Sequence, residues 1–170
     1  MMKSTFWQRC DGLARAVSPF AITFLLVLFM VVPQRSATLA PVMPALTMAA
    51  VYYWTVFRPD LMPLGAIFLI GLFEDLLLAA PLGLGTMTLL LIYLVVATQR
   101  RFFAVANFLL LWVSFALISA PVMLLNWLLA SLLLENVLPL GPVVLKYFTT
   151  IAIYPFLAWL FGRAQQAFLR

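Results

Sequence analysis

The stretch Gly71-Leu72-Phe73-Glu74-Asp75-Leu76-Leu77-Leu78-Ala79-Ala80-Pro81-Leu82-Gly83 places two neighbouring acids in an otherwise apolar run. A charged side chain at bilayer depth costs roughly 2.5–3.5 kcal/mol on insertion scales, so an acid retained there has a task, structural or chemical. The surroundings set the class of protein. Of 170 residues, 66% are hydrophobic and 9% charged, and the mean hydropathy is +1.15. This is the composition of a membrane protein.

A spanning helix needs about 20 mostly apolar residues to cross a core of about 30 Å. Six runs are read as spans, at roughly 17–34, 39–57, 61–80, 84–99, 102–133 and 142–162. They are continuous rather than alternating, which favours helices over barrel strands. The predicted fold is all-α: a polytopic six-transmembrane-helix bundle forming a single membrane domain over residues 1–170. The fifth run would be about 48 Å long as a helix, so it tilts, kinks near Pro121 or emerges from the bilayer. No stretch between spans is long enough for a soluble domain.

Charge orients this map. Six spans put Lys3, Arg9, Arg15, Arg58, Arg100, Arg101, Arg163 and Arg170 on one side, and Arg35 and Lys146 on the other. Basic residues concentrate on cytoplasmic loops, so both termini are expected in the cytoplasm. The net charge of +5 then reflects topology and anionic lipid rather than nucleic acid. Ahead of the first span, Phe6, Cys10, Leu13 and Val17 recur at helical spacing, which predicts an interfacial helix over about 4–16. The first span is read as an uncleaved anchor. Cys10, the single cysteine, is read as a small apolar residue.

Much chemistry is missing. The chain has no His, the commonest general base and metal ligand. It has no Cys/His zinc pattern and no phosphate-binding P-loop. An intramembrane aspartyl protease needs two facing Asp residues, whereas only Asp75 falls inside a predicted span. Glu74 and Asp75 point about 100° apart around one helix. No enzyme, metal or cofactor is expected.

Counted from Leu61, Asp75 lies about 21 Å along its span. Thr149, Thr150 and Ser119 fall at similar depth, with Arg35 and Lys146 able to reach down. Asp75 either hydrogen-bonds such groups to fix packing, or joins Glu74 in a substrate or proton site. Tyr52, Tyr53, Trp54, Trp127 and Tyr147 fall near predicted interfaces, as belt aromatics do. Ala45/Ala49, Ala116/Ala120 and Ala158/Gly162 have the small-xxx-small spacing of close helix packing. Pro81 to Gly85 and Pro139 to Pro142 mark tight turns. The segment 120–142 is the largest at the outer face, and Trp127, Leu132, Leu133 and Leu134 are its candidate partner surface.

Trp54-x3-Arg58-Pro59, then Gly71-Leu72-x-x-Asp75-Leu76-Leu77, then Pro81-Leu82-Gly83 and an apolar fourth span together resemble the rod shape-determining protein MreD family. The resemblance makes Trp54, Arg58, Pro59, Gly71, Asp75, Pro81 and Gly83 the structural and functional candidates, and gives Glu74 no family role. It implies a non-catalytic inner-membrane scaffold of the bacterial elongation machinery, working with MreC, MreB, RodA and a class B penicillin-binding protein. It also implies a fold like the six-helix substrate-binding subunit of energy-coupling-factor transporters. Such a vitamin-binding subunit is the alternative function, and would need a polar cavity opening outward.

Overall fold

A computed structural model describes residues 20–29, 43–99, 103 and 107–168. The expected interfacial helix over 4–16, with Cys10, lies outside them, as do Arg35, Arg100 and Arg101. The described residues are all-helical. The helices are α1 (Phe20–Phe29), α2 (Leu46–Phe57), α3 (Leu64–Leu77), α4 (Leu84–Thr98), α5 (Phe108–Leu133) and α6 (Leu140–Phe168). Two of them, α5 and the Leu140–Arg163 part of α6, are long and apolar enough to cross a membrane.

Prolines and glycines set most of the boundaries. α2 starts after Pro44, later than the expected 39–57 run, and the Ala45 N–H donates to Thr150 Oγ1 at 2.9 Å. It ends at Arg58, because the next residue, Pro59, disfavours helical geometry before it and opens a one-turn 3-10 segment, Pro59–Leu61. Pro63, extended at φ −65° and ψ 154°, leads into α3. α5 begins after Asn107, also extended at ψ 158°, so the expected 102–133 helix is shorter than read. Its 26 residues give about 39 Å, still more than the hydrocarbon core. Pro121 sits inside α5 and Pro155 inside α6 without ending either helix.

α2 is the central pillar. It packs against α4 and α6, while α4 also packs on α3 and α5, and α5 on α6. Every residue from Leu46 to Thr55 is buried, which is how a helix apolar on all sides behaves. This overturns the interfacial belt reading for Tyr52, Tyr53 and Trp54. Their rings form an aromatic core: Tyr52 meets Phe115 and Tyr154 at centroid distances of 5.1 and 5.7 Å, and Trp54 meets Phe161 at 5.7 Å. Proximity to a predicted span end gave the belt reading; enclosure of the whole helix by its neighbours decides against it. α5 and α6 instead turn large side chains outward, among them Leu117, Leu132, Phe148 and Phe156.

Candidate functional site

The connection between α3 and α4 is built around Asp75. After Leu77 the chain reaches Ala79, in the left-handed region at φ 49°, and the Ala80 N–H returns to the Asp75 carbonyl oxygen at 3.1 Å. That bond closes the end of α3 as a Schellman motif does. Ala in this conformation costs about 1–2 kcal/mol. Ala79→Gly is therefore expected to stabilise the protein by about 1 kcal/mol, read as a higher thermal midpoint in detergent; a lower midpoint would contradict the assignment. A second turn follows, with the Leu84 N–H on the Pro81 carbonyl oxygen. Gly83 stands in its third position at φ 100° and ψ −18°, where a type II turn demands glycine. Pro81 and Gly83 thus have a clear structural role.

A helix leaves its first N–H groups without internal partners, and a Ser, Thr, Asp or Asn at the N-cap normally takes one of them. The N-cap of α4 is Gly83, which has no side chain to offer. Asp75 fills that role from the preceding helix. Its Oδ2 accepts from the N–H groups of Gly83 and Thr86 at 2.9 and 3.2 Å and from Thr86 Oγ1 at 3.0 Å. Its Oδ1 accepts from the Gly85 N–H at 2.8 Å. The carboxylate is 2% exposed and sits at the positive end of the α4 dipole. Through its backbone Asp75 closes α3, and through its side chain it opens α4.

Two glycines make room for this. A Cβ on Gly71, one turn before Asp75 on the same face, would lie 2.5 Å from Thr86 Cα, so α3 and α4 touch backbone to backbone there. A Cβ on Gly85 would collide with Asp75 Oδ1. Gly71, Asp75, Gly83, Gly85 and Thr86 form one clamp. Gly85 and Thr86 were not among the expected residues.

The partners expected for Asp75 are engaged elsewhere. Thr150 Oγ1 donates to the Lys146 carbonyl oxygen and accepts from the Ala45 N–H, Thr149 Oγ1 donates to the Leu145 carbonyl oxygen, and Ser119 Oγ donates to the Ala116 carbonyl oxygen. Lys146 instead interacts electrostatically with Glu74, which also accepts a hydrogen bond from Thr47. Glu74 and Lys146 line a cavity of about 210 Å³ with Thr88, Asn126 and Trp127. Asn126 Nδ2 donates to Thr88 Oγ1 at 2.6 Å, tying α5 to α4.

The remaining candidates lie apart from the clamp. Trp54 is fully buried, and its Nε1 has no hydrogen-bond partner among the described residues. Arg58 caps α2, its N–H on the Trp54 carbonyl oxygen at 2.7 Å, and Pro59 begins the turn into α3. These residues belong to the opposite end of α3, about 16 Å along the helix from Asp75. Trp127 is half-buried and its Nε1 donates to the Leu138 carbonyl oxygen at 3.0 Å, whereas Leu132, Leu133 and Leu134 are 67%, 62% and 49% exposed.

The sequence profile of the rod shape-determining protein MreD matches residues 14–163. No curated protein and no solved structure matches the chain.

Proposed function

Because the chain belongs to the MreD family and so takes part in rod shape determination, we propose that it acts there as a non-catalytic scaffold of the inner membrane. One observation carries this reading: the carboxylate of Asp75 is fully committed to backbone donors of α4. An acid used for proton transfer or substrate binding must be able to exchange partners, and a 2% exposed carboxylate with four donors holds geometry instead. The protein spans the membrane with six helices and has both termini in the cytoplasm, as the segregation of basic residues supports. Its partners are MreC and, in the same complex, MreB, RodA and a class B penicillin-binding protein. The partner surface includes Leu132, Leu133 and Leu134, at the end of a helix about 39 Å long, where apolar side chains leave the hydrocarbon and need protein or lipid cover.

Two experiments check this reading. A fluorescent protein fused after residue 170 should be bright and alkaline phosphatase at the same site inactive; the reverse pattern contradicts the orientation. Photo-crosslinkers at Leu133 and Leu134 in whole cells should capture MreC. Lipid adducts alone there, with MreC captured from α1 to α4, would move the partner surface elsewhere. The cavity beside Glu74 favours the vitamin-transporter alternative, which predicts copurification of ATPase subunits and a bound vitamin in place of MreC.

A further inference from the structure

The cavity lies at the end of the bundle where α3 stops and α6 starts. Its walls are largely apolar, from Met48, Leu89, Met123, Leu138 and Val143. Its polar groups come from four helices: Glu74 on α3, Thr88 on α4, Asn126 on α5 and Lys146 on α6. Neither charged side chain takes part in the Asp75 clamp.

One acid and one base in a single apolar-walled cavity dictate the charge pattern of an occupant. A lone anion meets Lys146 but is repelled by Glu74, and a lone cation has the reverse problem. An apolar molecule would strip both groups of water and leave only their mutual attraction and the Thr47 hydrogen bond to offset it. A zwitterion brings an opposite charge to each and adds no net charge to the site. Depth narrows the class further. Glu74 lies three residues before the end of α3 and Lys146 six residues after the start of α6, about 5 and 9 Å from the helix ends. On the six-span reading both lie within two helical turns of that end of the bundle, where a span meets the headgroup region.

We propose that this cavity binds an aminoethyl phosphate zwitterion, carried as a lipid headgroup or free in solution, with its phosphate on Lys146 and its primary ammonium on Glu74. Asn126 offers its carbonyl Oδ1 as a further acceptor for the ammonium, since its Nδ2 is held by Thr88 and Leu84. A trimethylated amine has no N–H to donate, so a choline headgroup is a poor occupant. The methionines and Trp127 cover the carbon chain. This ligand is independent of which protein the scaffold meets.

The test uses the full chain in phosphatidylcholine nanodiscs. Calorimetric titration with O-phosphoethanolamine should show at least tenfold tighter binding than with ethanolamine or inorganic phosphate. Glu74→Gln and Lys146→Met should each weaken it at least tenfold. In mixed nanodiscs, native mass spectrometry reads whether phosphatidylethanolamine is retained over phosphatidylglycerol. Retention together with competition by the free compound supports the lipid source, and binding of the free compound without retention supports the soluble one. Equal binding of phosphate alone, binding unchanged in both variants, or no binding of any probe overturns the proposal. The comparison of the three soluble probes needs no variant, so a folding defect in Glu74→Gln or Lys146→Met leaves it decisive.

Discussion

Asp75→Leu is expected to cost about 4 kcal/mol of stability. Three backbone N–H groups and the Thr86 hydroxyl lose their acceptor inside the bundle. Hydrogen bonds to a charged group contribute about 1.5–3 kcal/mol each, and members of one network do not add. Against a total of about 5–15 kcal/mol, that loss separates the start of α4 from the end of α3. Asp75→Asn keeps one carbonyl acceptor and should fall between. Cells relying on Asp75→Leu at wild-type membrane levels should round up, while Glu74→Gln, which leaves the clamp intact, should stay closer to rods. Normal rods from Asp75→Leu beside rounded cells from Glu74→Gln would reverse the assignment of the two acids.

Gly71→Ala is expected to destabilise by about 3 kcal/mol, as overpacking does where nothing can yield. The new methyl would sit 2.5 Å from Thr86 Cα and 3.1 Å from Thr86 N. Both are backbone atoms, so α3 and α4 must part and stretch the bonds to Asp75. Gly65, near the start of the same helix, is open: a methyl added there would meet nothing within 4 Å. Gly65→Ala should therefore stabilise by about 0.5–1 kcal/mol through helix propensity. Thermal midpoints of the two variants in one detergent should move in opposite directions, and a shared direction would show that α3 and α4 do not meet at Gly71. Gly85→Ala displaces the Asp75 carboxylate itself. Its cost should largely vanish in an Asp75→Ala background, the signature of two residues acting on one contact.

The importance of Asp75 was legible in the sequence because an acid in an apolar run is costly. Its partners were not, since backbone N–H groups leave no mark in side-chain pattern. The only trace is the pair of glycines, Gly83 and Gly85, that readily read as a mere turn. Polar residues at matching depth, Thr149, Thr150 and Ser119, drew attention instead, yet each is occupied with helix carbonyl groups. By depth alone Lys146 can reach toward Asp75, yet it interacts electrostatically with Glu74, the neighbour of Asp75 in sequence, because two adjacent residues on a helix face different directions. The helical class follows from apolar continuity, but the starts of α2 after Pro44 and of α3 after Pro63 do not, because both prolines sit inside runs that are apolar throughout. The burial of Tyr52 and Trp54 does not either, because a helix apolar all round looks the same in sequence whether lipid or protein surrounds it.

The central claim is that Asp75 caps α4 from α3. Amide hydrogen exchange across residues 83–88 of the full-length protein tests it most directly. In the wild type the Gly85 and Thr86 amides should be protected as strongly as the middle of α4. In Asp75→Ala they should exchange at least tenfold faster, while α5 and α6 change little. Unchanged protection of that first turn in Asp75→Ala would contradict the account.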